Sequence, residues 1–112
     1  MILKNLTKGI IMTKDLKEVR SFYNQLFGLL KKANPRSLLF KTRFGIHTFG
    51  LTEAIDVIVL NNDFKVVKLK ENLKPNSLFF WNPKYNLVIE LPKGTIKEDR
   101  VTLSCYLSFN LV

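Results

Sequence analysis

Apolar and polar residues alternate along this chain with two different periods. Leu16, Val19, Tyr23, Leu26 and Leu30 follow one another at steps of 3, 4, 3 and 4, which places them on one stripe of an α-helix. Lys14, Lys17, Glu18, Asn24 and Gln25 lie mainly off that stripe. Thr13 or Asp15 can cap the helix, and Asp15-Leu16-Lys17-Glu18 reads as a capping box with Asp in the Ser/Thr place. Gly28 offers a C-terminal stop, and Asn34-Pro35 forbids much further continuation. A basic amphipathic helix can lie on a membrane or a partner, but the preferred reading is that the stripe covers a sheet. Ahead of it, residues 2–12 read as a strand or strand pair, with Gly9 at a bend.

From residue 37 the period becomes two. Strands are predicted over 37–44, 46–51, 54–60, 64–70 and 86–91, with Asn61-Asn62-Asp63 as a hairpin turn. Lys74-Pro75-Asn76 and Asn82-Pro83-Lys84 bracket the aromatic stretch SLFFW, and Pro92-Lys93-Gly94 closes the strand before it. At the end, Val101, Leu103, Cys105, Leu107, Phe109 and Leu111 alternate with polar residues and predict one long strand. Cys105 falls on its apolar face and reads as a small buried hydrophobe, since no basic residue of that strand would lower its pKa. The expected fold is mainly β: a single domain over residues 1–112, a sandwich or barrel-like sheet with one packed helix in the N-terminal half.

The composition changes this picture little. With 112 residues, 46% of them hydrophobic, the chain is long enough for a core that buries roughly two-thirds of the unfolded surface. One cysteine leaves no internal disulfide and no Cys-based zinc cluster. The first twenty residues carry Lys4, Lys8 and Lys14 and no apolar stretch of signal-peptide length, and no apolar run is long enough to span a membrane. The expected compartment is therefore the cytoplasm. Charge adds an alternative. The net +9 would suit a polyanion through counterion release, yet the lysines are scattered, as an AT-biased genome would also scatter them.

GIHTFG, IDVIVLNNDFKVV, LKP and LVIELPKGTI follow one another in an order and spacing that resembles the family catalogued as domain of unknown function 192, over roughly residues 8–103. Gly28-Leu29 matches the Gly-Leu that follows an early helix in that family. The resemblance implies a compact β-rich domain with one helix, and no established activity, cofactor or substrate. Ala54 stands where the family usually has proline, and Lys97-Glu98-Asp99-Arg100 lacks the glycine of the usual turn. The chain also continues through YLSFNLV past the family's usual end. An extended apolar end needs a sheet neighbour or a partner chain, so homodimerisation through the C-terminal strand is one expectation.

Three polar residues interrupt apolar strands. His47, the only histidine, has the pKa range of a general base or metal ligand and shares a face with Phe49 and Leu51. The resemblance implies that an aromatic such as Trp can take its place, which argues for a structural or ligand-lining role. Asp56, on the face of Ala54, Ile58 and Leu60, must be hydrogen-bonded, paired or protonated if buried; Arg43, Thr48 or amides of the 50–53 turn are the expected partners. Glu90, on the face of Val88, poses the same question. No ligand spacing around the histidine suggests a metal, no Gly-x-Ser-x-Gly elbow is present, and the five glycines form no phosphate loop. Of the aromatic group Phe79, Phe80, Trp81 and Tyr85, at least half must face inward, and Trp81 and Tyr85, which flank a Pro turn, are expected nearer the surface.

The combined expectation is a non-catalytic binding or accessory module without cofactor or metal. A shallow pocket lined by Arg43, His47, Thr48, Asp56 and Glu90, with Trp81 at its rim, would take a small polar ligand or a segment of a partner protein. A nucleic-acid-associated basic protein is the alternative, and an enzyme of unknown substrate the third.

Overall fold

The computed structural model describes residues 1–19 and 37–110, and among them the period-two pattern becomes ten strands in three sheets. Ile2–Asn5 (β1) and Ile10–Thr13 (β2) form the first pair, turning through Gly9 at a φ of +67°. Leu107–Asn110 (β10) adds antiparallel to β1, giving the order β10-β1-β2. The C-terminal strand thus finds its sheet neighbour within the chain.

The central sheet has the order β3-β4-β9-β6-β7. Its strands are Lys17–Val19 (β3), Leu38–Lys41 (β4), Ile55–Leu60 (β6), Val66–Leu73 (β7) and Leu87–Pro92 (β9). Gly45–His47 (β5) and Leu78–Phe80 (β8) pair antiparallel as a separate two-stranded ribbon. Every residue of β6 is buried, as a short continuous apolar run requires when both faces of a sheet are covered. Ile58 and Leu60 face one core with Leu3, Leu16, Ile89 and Leu107. Ile55, Val57 and Val59 face a second core with Phe40, Ile46, Phe79 and Trp81. The three-stranded sheet therefore covers one face of the central sheet and the ribbon the other. The sheets do not close into a barrel.

Two expectations need correction. The described residues contain no helix, and the start of the predicted one is strand: Lys17–Val19 pairs in parallel with Leu38–Phe40. Asp15 donates its amide to Thr13 Oγ1 at 3.2 Å, closing a short turn instead of capping a helix. The Leu16 amide donates to the Met1 carbonyl at 3.0 Å, and the Met1 ammonium to the Leu16 carbonyl at 2.8 Å. Pairing with β4 and the hydrogen bonds between Leu16 and Met1 thus override a modest local preference for helix. The remainder of that segment, with Tyr23, Leu26, Gly28 and Leu30, lies outside the described residues. The second correction is the last strand, which begins only at Leu107. Ser104 sits at a φ of 71°, and Leu103, expected in the core, is 60% exposed. Val101 and Cys105 are buried from a folded-back loop, and Leu107 from the strand itself.

Candidate functional site

The polar residues singled out in the sequence go to different places. Asp56 is fully buried and faces the first core. Its Oδ1 accepts the Asn72 amide at 2.8 Å and its Oδ2 the Ile96 amide at 3.0 Å. The register of β6 on β7 shifts between Ile55 and Val57, so Asp56 lies opposite a bulge whose Asn72 has a φ of 58°. The carboxyl group ties that bulge to the turn after β9, and neither Arg43 nor Thr48 is its partner. Thr48 is also buried. Its hydroxyl donates to the Lys74 carbonyl at 2.7 Å and accepts the Ser77 amide at 2.8 Å, which pins the turn leading into β8.

Glu90 pairs in register with Leu38 and Val57 and so faces the second core, the side of the central sheet opposite Asp56. Arg43 is exposed and reaches the Pro83 carbonyl at 3.4 Å. Trp81 is buried, its Nε1 donating to the Tyr85 carbonyl at 2.8 Å. Asp56 and Glu90 are thus not brought to one pocket, and Trp81 forms no rim.

The ribbon carries a different grouping. Ile46 and Phe79 pair and point into the second core; Gly45 with Phe80, and His47 with Leu78, face outward. Four large apolar side chains of this region stand in solvent: Phe44 at 65% exposure, Phe80 at 59%, Leu78 at 56% and Phe49 at 49%. His47 and Phe49 stack with ring centroids 5.0 Å apart. The Phe80 ring lies over Gly45, where a Cβ would come within 2.6 Å of Phe80 Cδ1 and 2.5 Å of the Phe79 carbonyl. Phe44 holds a φ of 73°, a left-handed conformation that bulky side chains rarely adopt. Lys68 of β7 donates to the Phe80 carbonyl at 2.6 Å. The alternation of SLFFW announced that its three rings divide between the two faces but not which goes where. Trp81 went inward because its indole N–H finds the Tyr85 carbonyl across the Pro83 turn.

Two curated relatives align over most of the chain. A UPF0127 protein of Pyrococcus horikoshii is 32% identical over 101 residues, covering 85% of this chain and 86% of its own. One of Pyrococcus furiosus is 30% identical over 112 residues, covering 95% and 96%. The chain belongs to the UPF0127 family. No family model matches it. Among solved structures, a Sinorhizobium meliloti protein described as a candidate transcription regulator shares the fold, with a TM-score of 0.78, 17% identity and coverage of 96% of this chain and 89% of that one. So does a protein of unknown function from Novosphingobium aromaticivorans, with a TM-score of 0.78, 14% identity and coverage of 96% and 83%. The UPF0127 relatives are uncharacterised and bring no activity to this chain.

Among the described residues of this UPF0127 chain, two groups have shifted acidity. Burial pushes the Glu90 carboxyl up to about 7, because a charge among apolar neighbours loses its hydration. Burial also raises the Cys105 thiol, but hydrogen bonds to Thr102 and Asn5 and the charge of Lys8 pull harder, so its pKa ends lowered. Lys8 comes from the β1–β2 turn, a neighbour that reading Cys105 within its own strand could not supply. Among the described residues, no three His, Cys, Asp or Glu side chains group as a metal would need. Among the described residues there is no helix long and apolar enough to cross a membrane.

Proposed function

We propose that this UPF0127 chain is a non-catalytic binding domain whose contact face is the outer side of the β5–β8 ribbon. The observation that carries the reading is Phe44: a large ring held in solvent by a backbone conformation that costs on the order of 1–3 kcal/mol. Strain of that kind persists where the surroundings impose it, and here the Phe44 carbonyl is fixed by the Trp81 amide at 2.9 Å. With Phe49, Leu78 and Phe80 it makes an apolar surface of the sort that marks contact sites. Of the residues first considered for a ligand, Arg43 and His47 belong to this face. Thr48 and Trp81 support it from beneath, Asp56 is a structural tie, and Glu90 lies under the ribbon. The finer placement, in the family catalogued as domain of unknown function 192, rests on GIHTFG and LVIELPKGTI.

The test is amide chemical-shift mapping of the labelled chain against a panel of peptides and oligonucleotides, repeated on Phe44→Ser/Phe80→Ser. The expected result is a probe that shifts residues 44–49 and 78–81 and is released by the double variant. A probe held equally well by the folded double variant, or shifts confined to the three-stranded sheet, would remove the reading.

A further inference from the structure

We infer that the occupant of this face is single-stranded nucleic acid, its unpaired bases stacking on Phe80, Phe44 and the Phe49–His47 pair while Arg43, Lys68 and Lys84 meet the phosphates. The inference rests on the binding face proposed above and names what the face takes.

Three features select this partner. First, what the ribbon exposes is rings. Phe44, Phe49 and Phe80 offer flat apolar faces with no donor or acceptor for reading base edges, and stacking of that kind tolerates any base. A duplex hides its base faces within its own stack and would meet these rings with phosphates. Second, the charge around the ribbon is mainly of one sign. Segments 41–54 and 74–86 carry Lys41, Arg43, Lys74 and Lys84 against Glu53 as their only acid, all exposed. Lys68 adds a fifth cation at the Phe80 carbonyl. Third, a second copy of this chain would bring the same excess of cations, Lys41, Arg43, Lys74 and Lys84 against Glu53, to the same surface, and like charges brought together oppose association. A peptide added as a strand would draw its affinity from an open backbone edge, whereas the groups presented here lie on the face of the ribbon.

Lys84 already sits over the Tyr85 ring at 5.6 Å, and Lys68 over Phe79 at 5.0 Å. Both cations thus lie beside aromatic rings at the border of the ribbon, Phe79 itself pointing into the second core.

The full chain is titrated into a fluorescein-labelled oligothymidylate of about 12 nucleotides, a duplex of equal length and an acidic peptide bearing Phe and Trp, with anisotropy as the readout. Binding of the single strand is expected to exceed that of the duplex and to fall with salt at a log–log slope of about −2, as three phosphate contacts give. Phe80→Ser weakens it about tenfold while Phe80→Trp retains it. Phe44→Gly, which relaxes the backbone and cannot unfold the chain by strain, also weakens it. No binding of the single strand at about 50 mM salt, equal or tighter binding of the duplex, or full affinity in both Phe80→Ser and Phe44→Gly overturns the inference. If the peptide alone binds, and binds through residues 44–49 and 78–81, the nucleic acid is wrong and the face stands. If nothing binds there, both fall.

Discussion

At the scale of single residues, the two buried acids do different things. Asp56 has both oxygens committed to backbone amides, so Asp56→Ala leaves the buried Ile96 amide and the part-buried Asn72 amide without acceptors. Each costs about 1–3 kcal/mol, and a loss of about 2–5 kcal/mol in urea denaturation is expected, with Asp56→Asn in between because its amide keeps one acceptor oxygen. A loss below about 1 kcal/mol for the alanine variant would mean that water reaches these amides. Glu90 behaves in the opposite sense. Its folded pKa of about 7 lies above the ordinary 4.5, so between these values the folded chain keeps a proton that the unfolded chain has released. Stability is therefore highest below about 4.5 as far as this group is concerned, and is lost as pH rises through 7, by ~3 kcal/mol. Glu90→Gln should be little affected across that window. Stability of both proteins at pH 5 and pH 8 checks this; a difference between them that does not change with pH would sink it.

At the scale of elements, the ribbon depends on a missing side chain. Gly45 faces the Phe80 ring, and any Cβ there meets the Phe79 carbonyl at 2.5 Å. Gly45→Ala must push β5 and β8 apart, at a cost of roughly 1–3 kcal/mol typical of overpacking. Thermal melting should show the loss, and the emission of Trp81 should shift to the red as its cover loosens. An alanine variant that melts and emits like the parent would show that the ring does not lie over the strand.

The elements also show where the sequence was legible. AIDVIVL was readable as a buried strand because β-branched residues filled it and Asn61-Asn62-Asp63 ended it; Asn61 indeed accepts from the Asp63 and Lys65 amides. The last segment was misread because alternate burial is not proof of an extended chain. A loop turning at Ser104 buries Val101 and Cys105 just as well. Lys17–Val19 was misread because pairing with β4 is a long-range event that local spacing does not report.

At the scale of the whole molecule, the candidate site was the least legible part. His47 and Arg43 were marked for being polar among apolar neighbours, and both lie at the ribbon. Nothing in the sequence marked Phe44, Phe49, Leu78 and Phe80 as a common face, because an exposed ring and a buried ring look alike until the sheets are assembled. The same assembly separated Asp56 from Glu90 by the thickness of a sheet, which no spacing along the chain encodes.

The ribbon shares no backbone ladder with the other two sheets and rests on the second core through Ile46, Phe79 and Trp81. Its inward residues are thus answerable to the scaffold and its outward ones to whatever lies outside. Along a lineage, substitutions at the outward positions other than Gly45 carry little penalty in folding, so the same scaffold can be turned to a new partner one surface residue at a time. A descendant that had lost these rings would still fold, and would have forgotten only what it bound.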